Sequence, residues 1–171
     1  YEAMVKIVLG KIRFDESDLV VDVGGGTGSL TQAIYREARL KRNVLCVDPS
    51  ESMLTLALEK DGVTPLKSTA EEFFDHEENY NFDKALILGS VHHFPDCTTM
   101  FKQWAEWLRP GSICFILTRP PNTTLPFFRK ALPLFEKSTA NAPAMEDCLR
   151  HIGLKVEVSE EKMEFNMSKD R

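Results

Sequence analysis

The residues best suited to chemistry stand at the ends of apolar runs. Asp22-Val23-Gly24-Gly25-Gly26-Thr27-Gly28 follows Leu19-Val20-Val21. This reads as a buried strand entering a turn where Gly24, Gly26 and Gly28 carry no side chain. A ligand can lie against such bare backbone, and glycine accepts φ values that other residues resist. The next segment, 29–41, starts a helix whose free N–H groups face the same place. Asp48 ends a second apolar strand, Asn43-Val44-Leu45-Cys46-Val47. It lies about 20–26 residues beyond the glycines, the separation at which an acid meets ribose hydroxyls in a doubly wound sheet. A carboxylate only accepts hydrogen bonds, which suits two adjacent hydroxyl donors. His92-His93 ends a further apolar run, and an imidazole titrates near neutrality. The pattern points to a nucleoside-bearing ligand beside a group able to take a proton.

Other glycine motifs do not fit. No Lys follows the glycines, so a phosphate loop of the G-x-x-x-x-G-K type is absent. A dinucleotide fingerprint would need glycine at Ser29, counted from Gly24, or at Thr31, counted from Gly26. Asp22-x-Gly24-x-Gly26-x-Gly28 instead resembles the first motif of class I S-adenosylmethionine-dependent methyltransferases. Further blocks follow at family-like spacing. Asp48-Pro49-Ser50-Glu51-Ser52-Met53 looks like the family's stretch after the ribose acid, Ser90-Val91-His92-His93-Phe94 like its fourth motif, and Leu108-Arg109-Pro110-Gly111 like the turn before its fifth strand. The resemblance runs over about residues 15–165.

That resemblance implies S-adenosyl-L-methionine as cofactor, leaving as S-adenosyl-L-homocysteine. It implies a cofactor site of Asp22, Gly24, Gly25, Gly26, Gly28, Asp48, Pro49, Met53, Thr69, Ala70, Glu71, Leu88 and Gly89. Met53 either borders the adenine or packs as an ordinary helix residue. The family often carries Asp-Ala where Thr69-Ala70 stands here, so the backbone of Ala70 keeps its role while a side-chain contact from Thr69 or Glu71 is left open. His93, then His92, is the candidate base; either equally shapes the pocket. The Asn/Asp-Pro-Pro-Tyr/Phe motif of enzymes that methylate nucleobase or amide nitrogen is absent. A small-molecule acceptor follows. The competing reading is a methyltransferase-like module that binds cofactor or a protein partner without turnover.

Strands that alternate with helices predict an α/β doubly wound, mostly parallel sheet with helices on both faces. Helices are expected over 2–14, 29–41, 50–60, 98–108, 126–137 and 143–152. Phe101, Trp104, Ala105 and Leu108 are expected to face the core. Right-handed crossovers then gather the strand C-terminal ends on one edge, where ligands bind. Alternation at Leu154, Val156 and Val158, then at Met163, Phe165 and Met167, predicts a bent sixth strand or a hairpin. The chain is expected to stop before the last strand of such a sheet.

The 171 residues suit one domain, with 1–14 an N-terminal helix, 15–120 the cofactor-binding core and 121–171 an incomplete substrate-side and C-terminal part. Segment 121–142 and the N-terminal helix are the expected lid. Formal net charge is −5, which argues against a nucleic-acid groove. No apolar run is long enough to span a bilayer. Four cysteines without C-x-x-C argue against zinc and for a reduced, cytoplasmic setting. A monomer or weak dimer is expected.

Overall fold

In the computed structural model, which describes residues 2–75, 81–94, 97–107, 109–118 and 142–160, five strands form one parallel sheet of order β3-β2-β1-β4-β5. They are β1 (Val20–Val23), β2 (Val44–Asp48), β3 (Val63–Lys67), β4 (Lys84–Leu88) and β5 (Ile113–Leu117). The helices are α1 (Glu2–Lys11), α2 (Ser29–Glu37), α3 (Glu51–Ala57), α4 (Ala70–Asp75), α5 (Cys97–Trp107) and α6 (Ala142–His151). The doubly wound α/β class expected from the sequence is the one observed.

Strand periodicity sorts side chains to the two faces. Val21, Val23, Val47, Ala85 and Ile87 pack with Phe73 of α4, with Met100, Phe101 and Trp104 of α5, and with Met145 of α6. Val20, Val44 and Leu86 point the other way, onto Val5, Val8 and Ile12 at the N-terminal helix and Leu30 and Ile34 of α2. α3 covers Cys46 and Val63 with Leu54 and Ala57. The N-terminal helix, expected to serve as part of a lid, is thus held in the core by its apolar side.

The two edges of the sheet differ. At the strand starts, charges tie the chain together: Lys84 meets Asp18 at 3.4 Å, both nearly buried, and Arg109 meets Asp83 at 2.8 Å. Asp83 Oδ2 also accepts the Leu19 N–H at 2.8 Å. At the strand ends the connections turn outward. Strand order reverses at β1, which has β2 on one side and β4 on the other. That reversal is where open α/β sheets leave a crevice.

α4 starts with a capping box, Thr69-x-x-Glu72. Thr69 Oγ1 accepts the Glu72 N–H at 3.1 Å, and Glu72 Oε2 accepts the Thr69 N–H at 3.2 Å. Thr69→Ala is expected to cost about 1 kcal/mol of stability, read from denaturant unfolding. An unchanged midpoint would contradict the cap.

Several expectations need correction. α2 ends at Glu37, not near 41, because Arg39 takes a left-handed turn (φ 55) and Leu40 N–H returns to the Tyr35 carbonyl. α3 is also shorter than its apolar pattern. Ser50 stands at the N-cap of α3, but its hydroxyl caps nothing and lies 3.1 Å from Ser52 Oγ. Burial alternates only from Leu154 to Glu157, Val158 is exposed, and residues 154–160 form no strand; among the described residues β5 pairs only with β4, and a strand without a neighbour has no ladder to join. The expected helix 126–137, the loop-borne lid residues and Met163 to Met167 lie outside the described residues. No helix among the described residues is long and apolar enough to cross a membrane. None of their His, Cys, Asp and Glu side chains form a group able to hold a metal ion.

Candidate active site

The glycine turn after β1 is clamped from both sides. Gly24 and Gly25 donate to the Val47 carbonyl at 2.7 and 3.2 Å, fixing the turn to β2. Gly26 donates to Asp48 Oδ2 at 3.0 Å. Asp48 Oδ1 accepts the Ser50 N–H at 2.9 Å. One carboxylate therefore joins the turn after β1 to the turn after β2. Each of its oxygens keeps a further lone pair. Asp48 is half-buried, so those lone pairs remain reachable.

The glycines divide into two kinds. A Cβ on Gly24 would collide with Ser90 Cβ and Oγ, and Ser90 Oγ donates to the Val23 carbonyl at 2.8 Å. A Cβ on Gly28 would lie 3.1 Å from Ala57 Cβ. On Gly25 it would press on Cys46 Sγ, 2.6 Å away. These three glycines admit the protein's own residues. Gly26 differs: at φ 57 its Cβ would meet nothing nearer than Asp48 Oδ2, 4.0 Å away. Gly89, exposed at the end of β4, also opens onto free space. The sequence treats the glycines of the turn alike; in the structure only Gly26 among them has open space where a side chain would stand.

Asp22 lies beneath the turn, 1 % exposed. Thr31 Oγ1 donates to its Oδ2 at 2.6 Å, while its Oδ1 is buried without a hydrogen-bond partner. Burial pushes its pKa up to about 6, Thr31 opposes the rise, and the charge of Asp48 adds to it. The ionised form therefore costs stability at neutral pH. That cost shrinks as pH falls through 6 and vanishes below the ordinary value of 3.8. Acids buried at such a cost cluster at functional sites. Beside it, burial and the neighbouring Asp22 push the Cys46 thiol up to about 12. Burial raises Cys114 as well. Neither thiol is a nucleophile.

The remaining candidates line the same edge. Ser68 N–H reaches the Asp48 carbonyl at 3.3 Å, which brings the β3 end beside β2. There Thr69 is occupied as a cap, Ala70 is buried, and Glu71 has a buried Oε1 with no partner. Pro49 is exposed, and Met53 on α3 is 43 % exposed. After β4, Leu88 and Gly89 lead to a single 3₁₀ turn, Val91–His93. The rings of His92 and His93 lie 4.0 Å apart at 43°. His93 is exposed and His92 half-buried. Sequence reasoning missed Thr31 and Ser90. Both are small hydroxyl residues whose partners become visible only once β1, α2 and β4 are side by side.

Residues 20–111 match the family of methyltransferase domains, which is more than half of the chain. The chain belongs to the methyltransferase domain family. This places it with the class I S-adenosylmethionine-dependent methyltransferases that its motifs resemble. It is 35% identical over 123 residues to the chloroplastic 2-methyl-6-phytyl-1,4-hydroquinone methyltransferase 2 of Oryza sativa subsp. japonica, covering 69% of this chain and 34% of that protein. It is 27% identical over 121 residues to a ubiquinone/menaquinone biosynthesis C-methyltransferase of Bartonella quintana, covering 68% of this chain and 46% of that one. The chain thus spans about half or less of the length of these relatives. Among solved structures, the Haemonchus contortus phosphoethanolamine N-methyltransferase 2 in complex with S-adenosylhomocysteine shares the fold, with a TM-score of 0.70 at 22% identity, over 90% of this chain and 37% of that one.

Proposed function

We propose that this chain forms the cofactor-binding part of an S-adenosylmethionine-dependent methyltransferase acting on a small molecule, with a hydroquinone-type ring as the first acceptor to try. The observation that carries the reading is the free space over Gly26, directly beside a carboxylate that retains acceptor capacity. The residues fit the cofactor. Gly26 and Gly89 would leave room for it, Asp48 would suit its ribose diol, and the orphaned oxygen of Asp22 would suit its cationic amino-acid end. The acceptor class rests on the hydroquinone in one relative's name and on ubiquinone/menaquinone biosynthesis in the other's.

When bound, the sulfonium supplies an electrophilic methyl group, whose C–S bond breaks as the bond to the acceptor forms. This chain's task is alignment. Asp48 and the turn would hold the donor's sugar and its amino-acid end, and the edge after β4 would face the acceptor. Such positioning is worth about 7–11 kcal/mol in favourable cases. His93, exposed beyond β4 with the His92 ring tilted against it, is the group assigned to take the proton that an acceptor hydroxyl loses. His93→Gln is expected to lower kcat at least about tenfold and leave S-adenosylhomocysteine affinity unchanged. An unaltered kcat would remove the histidine from the chemistry.

The reading is tested by incubating the protein with methyl-tritiated S-adenosylmethionine and a panel of hydroquinones and phenols. Label in a methylated product is expected. Bound cofactor with no label transferred to any acceptor would contradict an enzymatic role.

A further inference from the structure

Thr31 stands where a dinucleotide fingerprint would carry glycine, and here it makes a specific bond. It is fully buried in the first turn of α2, and its hydroxyl donates to Asp22 Oδ2 at 2.6 Å. Among the described residues no cation answers Asp22. β2 faces it with Cys46 and, at its end, Asp48; α2 faces it with Thr31; β4 sets Leu86 beside it. Asp48 contributes a second negative charge rather than a counter-charge. An unpaired buried carboxylate is expensive, and its Oδ1 has no donor at all. Both costs are relieved if a positive group arrives in the turn above.

We propose that Thr31 is a positioning residue for cofactor binding: by donating to Oδ2 it holds the buried Asp22 carboxylate oriented and anionic, leaving Oδ1 to act, directly or through one water, on the ammonium end of a ligand lying in the glycine turn. The inference rests on the cofactor reading given above. It makes binding pH-dependent with a definite sign. The cation favours ionised Asp22, so affinity is highest above the Asp22 pKa of about 6 and falls as pH drops through it. Removing the Thr31 donor raises the proton affinity of Asp22, which moves that fall to higher pH by about one unit. A threonine that merely packed α2 against β1 would lower affinity equally at every pH.

The test is calorimetric titration of wild type, Thr31→Val, Thr31→Ser and Asp22→Asn between about pH 5 and pH 8. S-adenosylhomocysteine is the ligand, and adenosine, which lacks the ammonium, is the control. Circular dichroism checks that each variant is folded. In wild type, S-adenosylhomocysteine affinity is expected to drop about tenfold from pH 7 to pH 5 while adenosine affinity does not. The fall moves up by about one pH unit in Thr31→Val, returns in Thr31→Ser and flattens in Asp22→Asn. Superposable profiles for wild type and Thr31→Val would overturn the proposal. If Thr31→Val fails to fold, a sloping profile in Asp22→Asn would overturn it instead. Absence of S-adenosylhomocysteine binding at any pH would overturn the cofactor reading itself, and this inference with it.

Discussion

Asp48→Ala is expected to weaken S-adenosylhomocysteine binding about 100-fold and to lower the stability of the free protein by about 2 kcal/mol. The two effects share one cause. The carboxylate holds Gly26 N–H at 3.0 Å and Ser50 N–H at 2.9 Å, so its loss frees the turn after β1 from the turn after β2. Hydrogen bonds to a charged acceptor contribute about 1.5–3 kcal/mol each where shielded, and less at this half-buried position. Ligand binding suffers further, because the same oxygens that fix the turns carry the lone pairs offered to the ribose. Asp48→Asn separates the roles. It retains one acceptor oxygen for one turn and turns the other position into a donor, so binding should fall nearly as far while stability falls less. Equal ligand affinity in wild type and Asp48→Ala would remove Asp48 from the site.

Gly24→Ala and Gly26→Ala should fail in different ways, although the residues are two positions apart. At Gly24 a methyl group enters the space of buried Ser90 at φ 75 and threatens its 2.8 Å bond to the Val23 carbonyl. The left-handed backbone alone costs about 1–2 kcal/mol for a side chain, and the overlap with packed core brings the expected loss to about 3–4 kcal/mol. At Gly26 only the backbone cost applies, because the nearest atom to the new methyl is 4.0 Å away. Gly26→Ala should therefore fold, with about 1–2 kcal/mol lost, and bind S-adenosylhomocysteine at least about tenfold more weakly. The contrast reads directly from thermal unfolding beside calorimetry. Normal binding by a folded Gly26→Ala would show that the ligand does not lie against that glycine.

Much of the architecture was legible because continuous apolar runs such as Ala85-Leu86-Ile87-Leu88 have few alternatives to a parallel strand covered on both faces. Phe101 and Trp104 declared their helical face by spacing, and both are buried. Helix ends were less legible. The apolar pattern continues past Glu37, but a left-handed residue at Arg39 stops α2, and nothing in a hydrophobic period announces that. Alternation at Leu154, Val156 and Val158 misled for a related reason. It gives a strand's side-chain pattern without supplying the neighbouring chain a strand needs. At the site, the sequence marked Asp22, the glycines and Asp48 as a group, and the structure joins Gly26 to Asp48 by a hydrogen bond. Which glycines make room for the protein's own side chains was not legible, because that depends on Ser90 and Ala57, brought in from distant parts of the chain. The bond from Thr31 to Asp22 was hidden likewise, since the hydroxyl becomes a donor to the acid only when α2 docks on β1.

The open space over Gly26 beside the Asp48 carboxylate is where the cofactor is expected to lie. Calorimetric titration of the protein with S-adenosylhomocysteine, and separately with NAD, tests it most directly. Saturable one-to-one binding of S-adenosylhomocysteine, weakened about 100-fold in Asp48→Ala and absent with NAD, is the predicted result. No heat with S-adenosylhomocysteine, together with saturable binding of NAD, would contradict it.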